Sequence, residues 1–170
     1  MIRLIQIAAF ALLIAACAQV SVPMVPVPMT MQTFVVLLAG AWLGPVWGAA
    51  AVLVYLAAGA LGLPVFSDGG RGVQALWGPT AGYLISFPIA AALAGWAGRK
   101  GWLTRPWLRG VGVFSLLHLL ILALGAAWLA RFTGIEAAVR DGAAPFLIGA
   151  VVKSALVVGV LAARDRFRRV

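Results

Sequence analysis

The chain has 170 residues, of which 64% are hydrophobic and only 10% are charged. A water-soluble domain is about 45–50% apolar and about 25% charged, so a soluble globular fold is excluded. The hydrophobicity also excludes a disordered chain, and a single cysteine excludes a disulfide-stabilised scaffold. The composition is that of an all-α integral membrane protein. Its net charge of +9 comes from basic residues between apolar runs, which favours contacts with lipid over nucleic-acid binding.

Six apolar runs are predicted to be transmembrane helices. They cover approximately residues 4–20, 33–43, 46–61, 80–97, 111–130 and 144–163. The second and third runs meet at Gly44 and Pro45, and proline interrupts a helix because it lacks an amide hydrogen and clashes with the preceding turn. A single kinked helix here would be about 44 Å long, which exceeds the ~30 Å hydrocarbon core. We therefore expect two short helices at this point, and six spans in a single domain of residues 1–170.

The positions of lysine and arginine predict the orientation in the membrane. With six spans, both termini lie on the side that also holds the loop 98–110. That side carries nine basic residues, namely Arg3, Arg99, Lys100, Arg105, Arg109, Arg164, Arg166, Arg168 and Arg169. The opposite side carries Arg71, Arg131 and Arg140. Because basic residues accumulate on the cytoplasmic side, we expect cytoplasmic termini and a location in the bacterial inner membrane.

The first apolar run has two interpretations. The sequence Ile14-Ala15-Ala16-Cys17 resembles the cleavage site of a lipoprotein signal peptide, which would be cut before the cysteine. However, Ala8, Ala11 and Ala15 form a stripe of small residues on one helical face, and such a face suits close helix packing. A signal peptide has no need of that face, so we expect a retained helix in which Cys17 is a packing residue.

The sequence lacks the usual machinery of an enzyme. The glycine-rich segment 69–72 has no following P-loop lysine, and one histidine and one cysteine cannot build a metal site. The acidic residues all lie outside the apolar runs, at Asp68, Glu136, Asp141 and Asp165. We therefore expect a protein that is not an enzyme and that uses no metal or cofactor.

Lys153 is the exception to this apolar pattern. It lies about 13 Å from one end of the sixth run and about 16 Å from the other, too far for its side chain to reach either surface easily. A lysine at mid-membrane costs about 2.5–3.5 kcal/mol, and such charges usually face a cavity or a partner. Gly149 and Ala150, one turn earlier, leave space beside it. We expect Lys153 to bind an anionic ligand such as a carboxylate; the alternatives are a shallower helix or a neutral or water-exposed lysine.

His118 lies mid-span among leucines. A lone histidine in a membrane helix usually forms a hydrogen bond to a neighbouring helix, and we expect that role here. A proton relay or a ligand contact is the alternative.

Two irregular segments, residues 22–33 and 62–83, are rich in proline or glycine. The second is unusually apolar for an exposed loop. It would leave four large side chains in water if it were a plain connector: Val65, Phe66, Leu76 and Trp77. We therefore expect it to fold back as a lid over a pocket.

The irregular segments and several short motifs in the apolar runs resemble, in sequence and in order, the BioY family of biotin-specific substrate-binding components of energy-coupling factor transporters. The similarity extends from about residue 8 to residue 163. It is carried by Val27-Pro28-Met29-Thr30-Met31-Gln32-Thr33, Leu37-Leu38-Ala39-Gly40, Leu43-Gly44-Pro45, Tyr55-Leu56, Gly62-Leu63-Pro64-Val65-Phe66 and Gly78-Pro79-Thr80-Ala81-Gly82-Tyr83.

The resemblance implies a six-helix fold with a vitamin pocket near the outer face, covered by loops. It also implies association with a transmembrane coupling (T) subunit and with ABC-type ATPases, which would supply the energy for transport. The stripe of Ala8, Ala11 and Ala15 looks like the face through which such components dock on the coupling subunit. A small membrane scaffold or assembly subunit without a ligand is the alternative function.

Within the implied biotin site, Lys153 would meet either the carboxylate or the carbonyl of the ureido ring. Tyr83 and Gln74 would add hydrogen bonds. The last helix of the family usually begins Pro-Phe-Leu-Pro-x-Asp-x-x-Lys, and here Ala150 takes the place of the aspartate. Another acceptor for the ureido N–H groups must then come from elsewhere, and the candidates are Gln32, Gln74 and Asp68.

Overall fold

The computed structural model describes residues 1–103 and 106–167, and Arg105, Arg168 and Arg169 of the predicted cytoplasmic cluster lie outside these ranges. Within the described residues the fold is all-α, with one two-stranded hairpin. The helices are α1 (Ile2–Gln19), α2 (Gln32–Leu43), α3 (Pro45–Ala60), α4 (Ala81–Arg99), α5 (Trp107–Thr133), α6 (Ile135–Gly142) and α7 (Phe146–Phe167). Strands β1 (Ser21–Val22) and β2 (Met29–Thr30) pair antiparallel between α1 and α2.

The chain breaks between α2 and α3, as the proline predicts. Gly44 separates the two helices with a φ of 90°, a left-handed conformation that glycine adopts without strain, and Pro45 is the first residue of α3. The two short helices pack on α4, and the backbones of α2 and α4 approach very closely at Gly40. A side chain at this position would overlap the backbone of Ala91. Small residues therefore bring these three helices together.

In the part of the chain that the structure describes, four helices, α1, α4, α5 and α7, are long and apolar enough to cross a membrane. Helices α2 and α3 are equally apolar but shorter, with 12 and 16 residues. The chain is thus a multi-pass membrane protein built on helices that correspond to the six apolar runs. Helix α6 was not predicted, because its eight residues mix charged and apolar side chains and were assigned to a loop.

The bundle has two distinct ends. The end that contains Gly44 carries three cation–π pairs: Arg164 lies 4.1 Å from the ring of Trp42, Lys100 lies 5.7 Å from Trp96, and Arg109 lies 5.1 Å from Trp102. At the opposite end, Arg131 lies 4.5 Å from the ring of Trp128. Aromatic residues paired with cations are typical of the interface between membrane and water.

Helix α1 uses its small-residue stripe largely within the chain itself. Ala11 is buried in the main core with Ile14, Ala15 is partly buried against that core, and Ala8 is exposed. Within the chain, the small side chain of Ala11 allows α1 to pack on the rest of the bundle. The docking role expected of the three alanines stays a prediction. Cys17 is half-buried against the same core.

Candidate functional site

A cavity opens at the end of the bundle opposite Gly44. About 670 Å³ of empty space lies within it, part of it open to solvent. Its walls come from α2, α4, α5 and α7, and from both irregular segments, through Val27, Pro28, Thr30, Gln32, Thr33, Phe66, Ser67, Thr80, Tyr83, Leu84, Phe87, His118, Ile121, Leu122, Phe146, Ala150 and Lys153. A mostly apolar cavity with a few polar groups is typical of a small-molecule site.

Lys153 is the charged side chain of the described cavity wall, and it is buried. Its Nζ donates hydrogen bonds to the backbone oxygen of Thr30, at 2.6 Å, and to the hydroxyl of Thr33, at 3.3 Å. Both partners are neutral oxygens. An ammonium has three N–H donors, so one remains for a ligand. Lys153 thus faces a cavity, as its position in an apolar run predicts.

His118 continues the polar contacts of Lys153 across the bundle. Its Nδ1 lies 3.0 Å from both the Phe114 carbonyl oxygen and the Ser154 hydroxyl, and its Nε2 lies 3.2 Å from the Thr33 hydroxyl. A carbonyl oxygen can only accept, so Nδ1 carries the hydrogen and Nε2 accepts from Thr33. His118 therefore joins α5 to α2 and α7, which is the role expected from the sequence.

Gln32 and Tyr83 also line the cavity, but each is already held by the protein. The amide nitrogen of Gln32 donates to the hydroxyl of Tyr55, and its amide oxygen accepts from Thr30 at 2.9 Å. The Tyr83 hydroxyl donates to the backbone oxygen of Gly142 at 2.7 Å. These bonds fix the position of both side chains, and the Tyr83 hydroxyl oxygen can still accept a hydrogen bond while its hydrogen is donated to Gly142.

The loop after α3 is fastened to the end of α1 by Gln19. The amide nitrogen of Gln19 donates to the backbone oxygen of Phe66 at 3.0 Å, and its amide oxygen accepts from the backbone N–H of Gly69 at 3.2 Å. Ser21 adds a third bond by donating to a carboxylate oxygen of Asp68 at 3.1 Å. We call these three bonds the Gln19 clasp. They hold the loop against the mouth of the cavity.

Phe66 is the part of the loop that closes the cavity. Its side chain is only 3% exposed, and its ring lies edge-on to the Tyr55 ring with centroids 5.6 Å apart. It also lies directly on Gly59, where a side chain would overlap the ring. The lid prediction thus holds for Phe66, whereas Trp77 is 69% exposed and is not part of the described cavity wall.

Two of the five predicted ligand residues lie outside the cavity wall. Gln74 is exposed, and its amide oxygen lies over Gly72 in the loop. Asp68 is exposed and belongs to the Gln19 clasp. Lys153, Tyr83 and Gln32 are brought together in the wall.

Sequence reasoning missed the polar residues that surround Lys153 and His118. Thr33 and the Thr30 backbone contact Lys153 and lie in the quoted Thr-Met-Gln-Thr segment, and Ser154, which hydrogen-bonds to His118, directly follows the lysine. A polar residue that follows a buried charge is the signal that could have identified Ser154, because a buried polar group requires hydrogen-bond partners. Thr33 is 120 residues from Lys153 in the chain, so its contact depends on the fold.

Residues 1–169 match the sequence model of the BioY family. The chain belongs to the BioY family. The match covers both irregular segments, all seven described helices and Lys153.

Named relatives agree with this assignment. The chain is 43% identical over 154 residues to a probable biotin transporter BioY of Pyrococcus horikoshii, covering 89% of each chain. It is 38% identical over 124 residues to the biotin transporter BioY of Thermotoga maritima, covering 71% of this chain and 73% of the relative. The fold matches the crystal structure of the S-component for biotin from an ECF-type ABC transporter with a TM-score of 0.87 and 25% identity, over 96% of this chain and 90% of that one.

Proposed function

We propose that this BioY protein is the biotin-binding S component of an energy-coupling factor transporter, and not an enzyme. The observation that carries the proposal is the buried ammonium of Lys153 in an apolar cavity whose mouth is partly covered by the loop that the Gln19 clasp holds. Biotin has an apolar ring and chain together with polar groups, which match such a wall. The names of the relatives support biotin as the ligand.

Three residues of the wall form the proposed biotin site. Lys153 supplies positive charge, Tyr83 supplies a hydroxyl acceptor, and Gln32 holds the Thr30 segment in place beside them. Phe66 and the other apolar side chains cover the hydrocarbon part of the ligand. Removing that apolar surface from water contributes about 25 cal/mol per Å² of favourable free energy to binding. Gln74 and Asp68 are assigned to the loop and not to ligand contacts.

The orientation that we propose has six spans in one domain, with the cavity facing outward. The Gly44 end carries Arg99, Lys100, Arg109 and Arg164, whereas Arg71, Arg131 and Arg140 lie towards the cavity end. The positive-inside rule then places both termini in the cytoplasm of a bacterial cell and the cavity on the outer side of the inner membrane.

The partners that we propose are a transmembrane coupling subunit and ABC-type ATPases, since the cavity alone provides no source of energy. The exposed side of α1 that includes Ala8 is the docking face, and the partly buried Ala15 lies at its edge. Ala11 supports that face from inside the chain by packing α1 on the core.

The proposal is tested by uptake of labelled biotin into biotin-auxotrophic cells that produce this chain together with the coupling subunit and ATPases. We expect native chain to support uptake and Lys153→Met to abolish it. Lys100→Met is the matched control, because Lys100 is an exposed lysine at the other end of the bundle. A ligand-free scaffold would instead tolerate Lys153→Met, and equal uptake by the three chains would contradict the proposal.

A further inference from the structure

The described cavity wall contains one cation and no carboxylate. Two acidic residues are engaged elsewhere: Asp68 accepts from Ser21 in the Gln19 clasp, and Asp141 is paired with Arg140 at 2.9 Å. The hydrogen bonds and charge of Arg140 lower the pKa of the Asp141 carboxyl, which keeps it ionised and paired. The remaining acidic residues, Glu136 and Asp165, are exposed. The positive charge of Lys153 therefore has no opposite charge beside it in the described chain.

The surroundings of Lys153 suit an acceptor better than a donor. The nearby oxygens of Thr30 and Thr33 already accept hydrogens from Nζ. One turn earlier on α7, the side chain of Ala150 has no polar atom, and its backbone oxygen accepts from Ser154 at 2.7 Å. A ureido ring whose N–H groups pointed here would bring two more donors beside the ammonium, whose own remaining N–H needs an acceptor, and unsatisfied buried donors are costly.

A carboxylate meets none of these difficulties. It has only acceptor oxygens, so it can take the remaining N–H of Lys153. It also cancels the buried charge, which a neutral carbonyl does not, and the attraction is strengthened by the low dielectric of the membrane interior.

We propose that biotin binds this chain with its carboxylate inward, against Lys153, and with its ureido ring towards the loops. This inference rests on the proposed function and assigns the orientation and selectivity of the same site. Ser67 and Thr80, which line the cavity from the loop side, supply hydroxyl oxygens that can accept the ureido N–H groups. The cavity then selects for a free carboxylate, and forms of biotin with a modified carboxyl group bind more weakly or not at all.

The test is competition between labelled biotin and biotinamide for the purified full-length chain. The amide has nearly the size of the acid but no charge. We expect biotinamide to bind about 10- to 100-fold more weakly than biotin, the effect of losing a hydrogen bond between charged groups. In Lys153→Met the two ligands should bind alike, and in the control Lys100→Met the preference for biotin should persist.

A second measurement needs no variant. Biotin joined through its carboxyl group to a fluorophore should fail to compete, because the inward end of the ligand leaves no path for the linker. Equal binding of biotin and biotinamide to native chain, or competition by the conjugate, would overturn the inward orientation and leave the proposed function intact. Failure of biotin itself to bind would overturn both.

Discussion

The Nζ of Lys153 lies 3.3 Å from the hydroxyl oxygen of Thr33, which is 120 residues earlier in the chain. The same hydroxyl lies 3.2 Å from Nε2 of His118, so one threonine orients the lysine and connects it to α5. Three helices thereby fix the position of a charge that the membrane interior would otherwise expel.

Replacing Thr33 with valine should weaken biotin binding while leaving the helices in place. The substitution removes the hydroxyl that accepts from Lys153, and a hydrogen bond to a charged group contributes about 1.5–3 kcal/mol. We expect a rise in the dissociation constant of about tenfold, measured by equilibrium binding. Thr33→Ser keeps the hydroxyl and should bind nearly as the native chain does. Native binding in Thr33→Val together with a loss in Thr33→Ser would show that the methyl group, and not the hydroxyl, is what matters.

The Gln19 clasp should control how fast biotin leaves the cavity. Gln19→Ala removes both bonds that hold the loop at Phe66 and Gly69. Because these bonds are made at the mouth and not to the ligand, we expect the dissociation rate of biotin to rise several-fold. The measurement is release of labelled biotin after dilution. Gln6→Ala, on the same helix far from the loop, is the control, and an unchanged release rate in Gln19→Ala would contradict a closing role for the clasp.

Gly59 should be required for the closed position of Phe66. A methyl group at this position would overlap the ring of Phe66, so Gly59→Ala must push the ring out of the cavity wall. We expect weaker biotin binding and a lower melting temperature, since overpacking costs about 1–3 kcal/mol. Gly112→Ala in α5 has open space around it and should leave both quantities unchanged or slightly improved. Native affinity in Gly59→Ala would show that the ring is free to move.

Substitutions at two positions of the alanine stripe, Ala8 and Ala11, should have different effects. Ala8 is exposed, so Ala8→Leu should leave the melting temperature and biotin binding unchanged and reduce uptake by blocking the coupling subunit. Ala11 is buried in the core, so Ala11→Leu should lower the melting temperature. Uptake at the native level in a stable Ala8→Leu chain would contradict docking at this face.

Much of the fold could be predicted from the sequence because its signals are local. Apolar runs mark the helices, and Pro45 marks the break between α2 and α3 since proline cannot continue a helix. Lys153 stood out because a charge in an apolar run requires compensation.

What could not be predicted depends on contacts between distant segments. Helical spacing places Ala8 and Ala11 on one face, but only the packed bundle decides that Ala11 faces the core. The loop residues are harder still, because turns at glycines such as Gly72, with a φ of 87°, set the directions of their side chains. Gln74 and Trp77 therefore point away from the cavity that the same loop closes through Phe66.

The most direct measurement of the central claim is a calorimetric titration of the purified full-length chain with biotin. We expect saturable binding of one biotin per chain by the native protein and by Lys100→Met. In Lys153→Met we expect a loss of affinity of about tenfold or more, the cost of removing a charged partner. Binding of equal strength in Lys153→Met and native chain would contradict a ligand held by the buried ammonium, and no heat in the native chain would contradict a biotin site altogether.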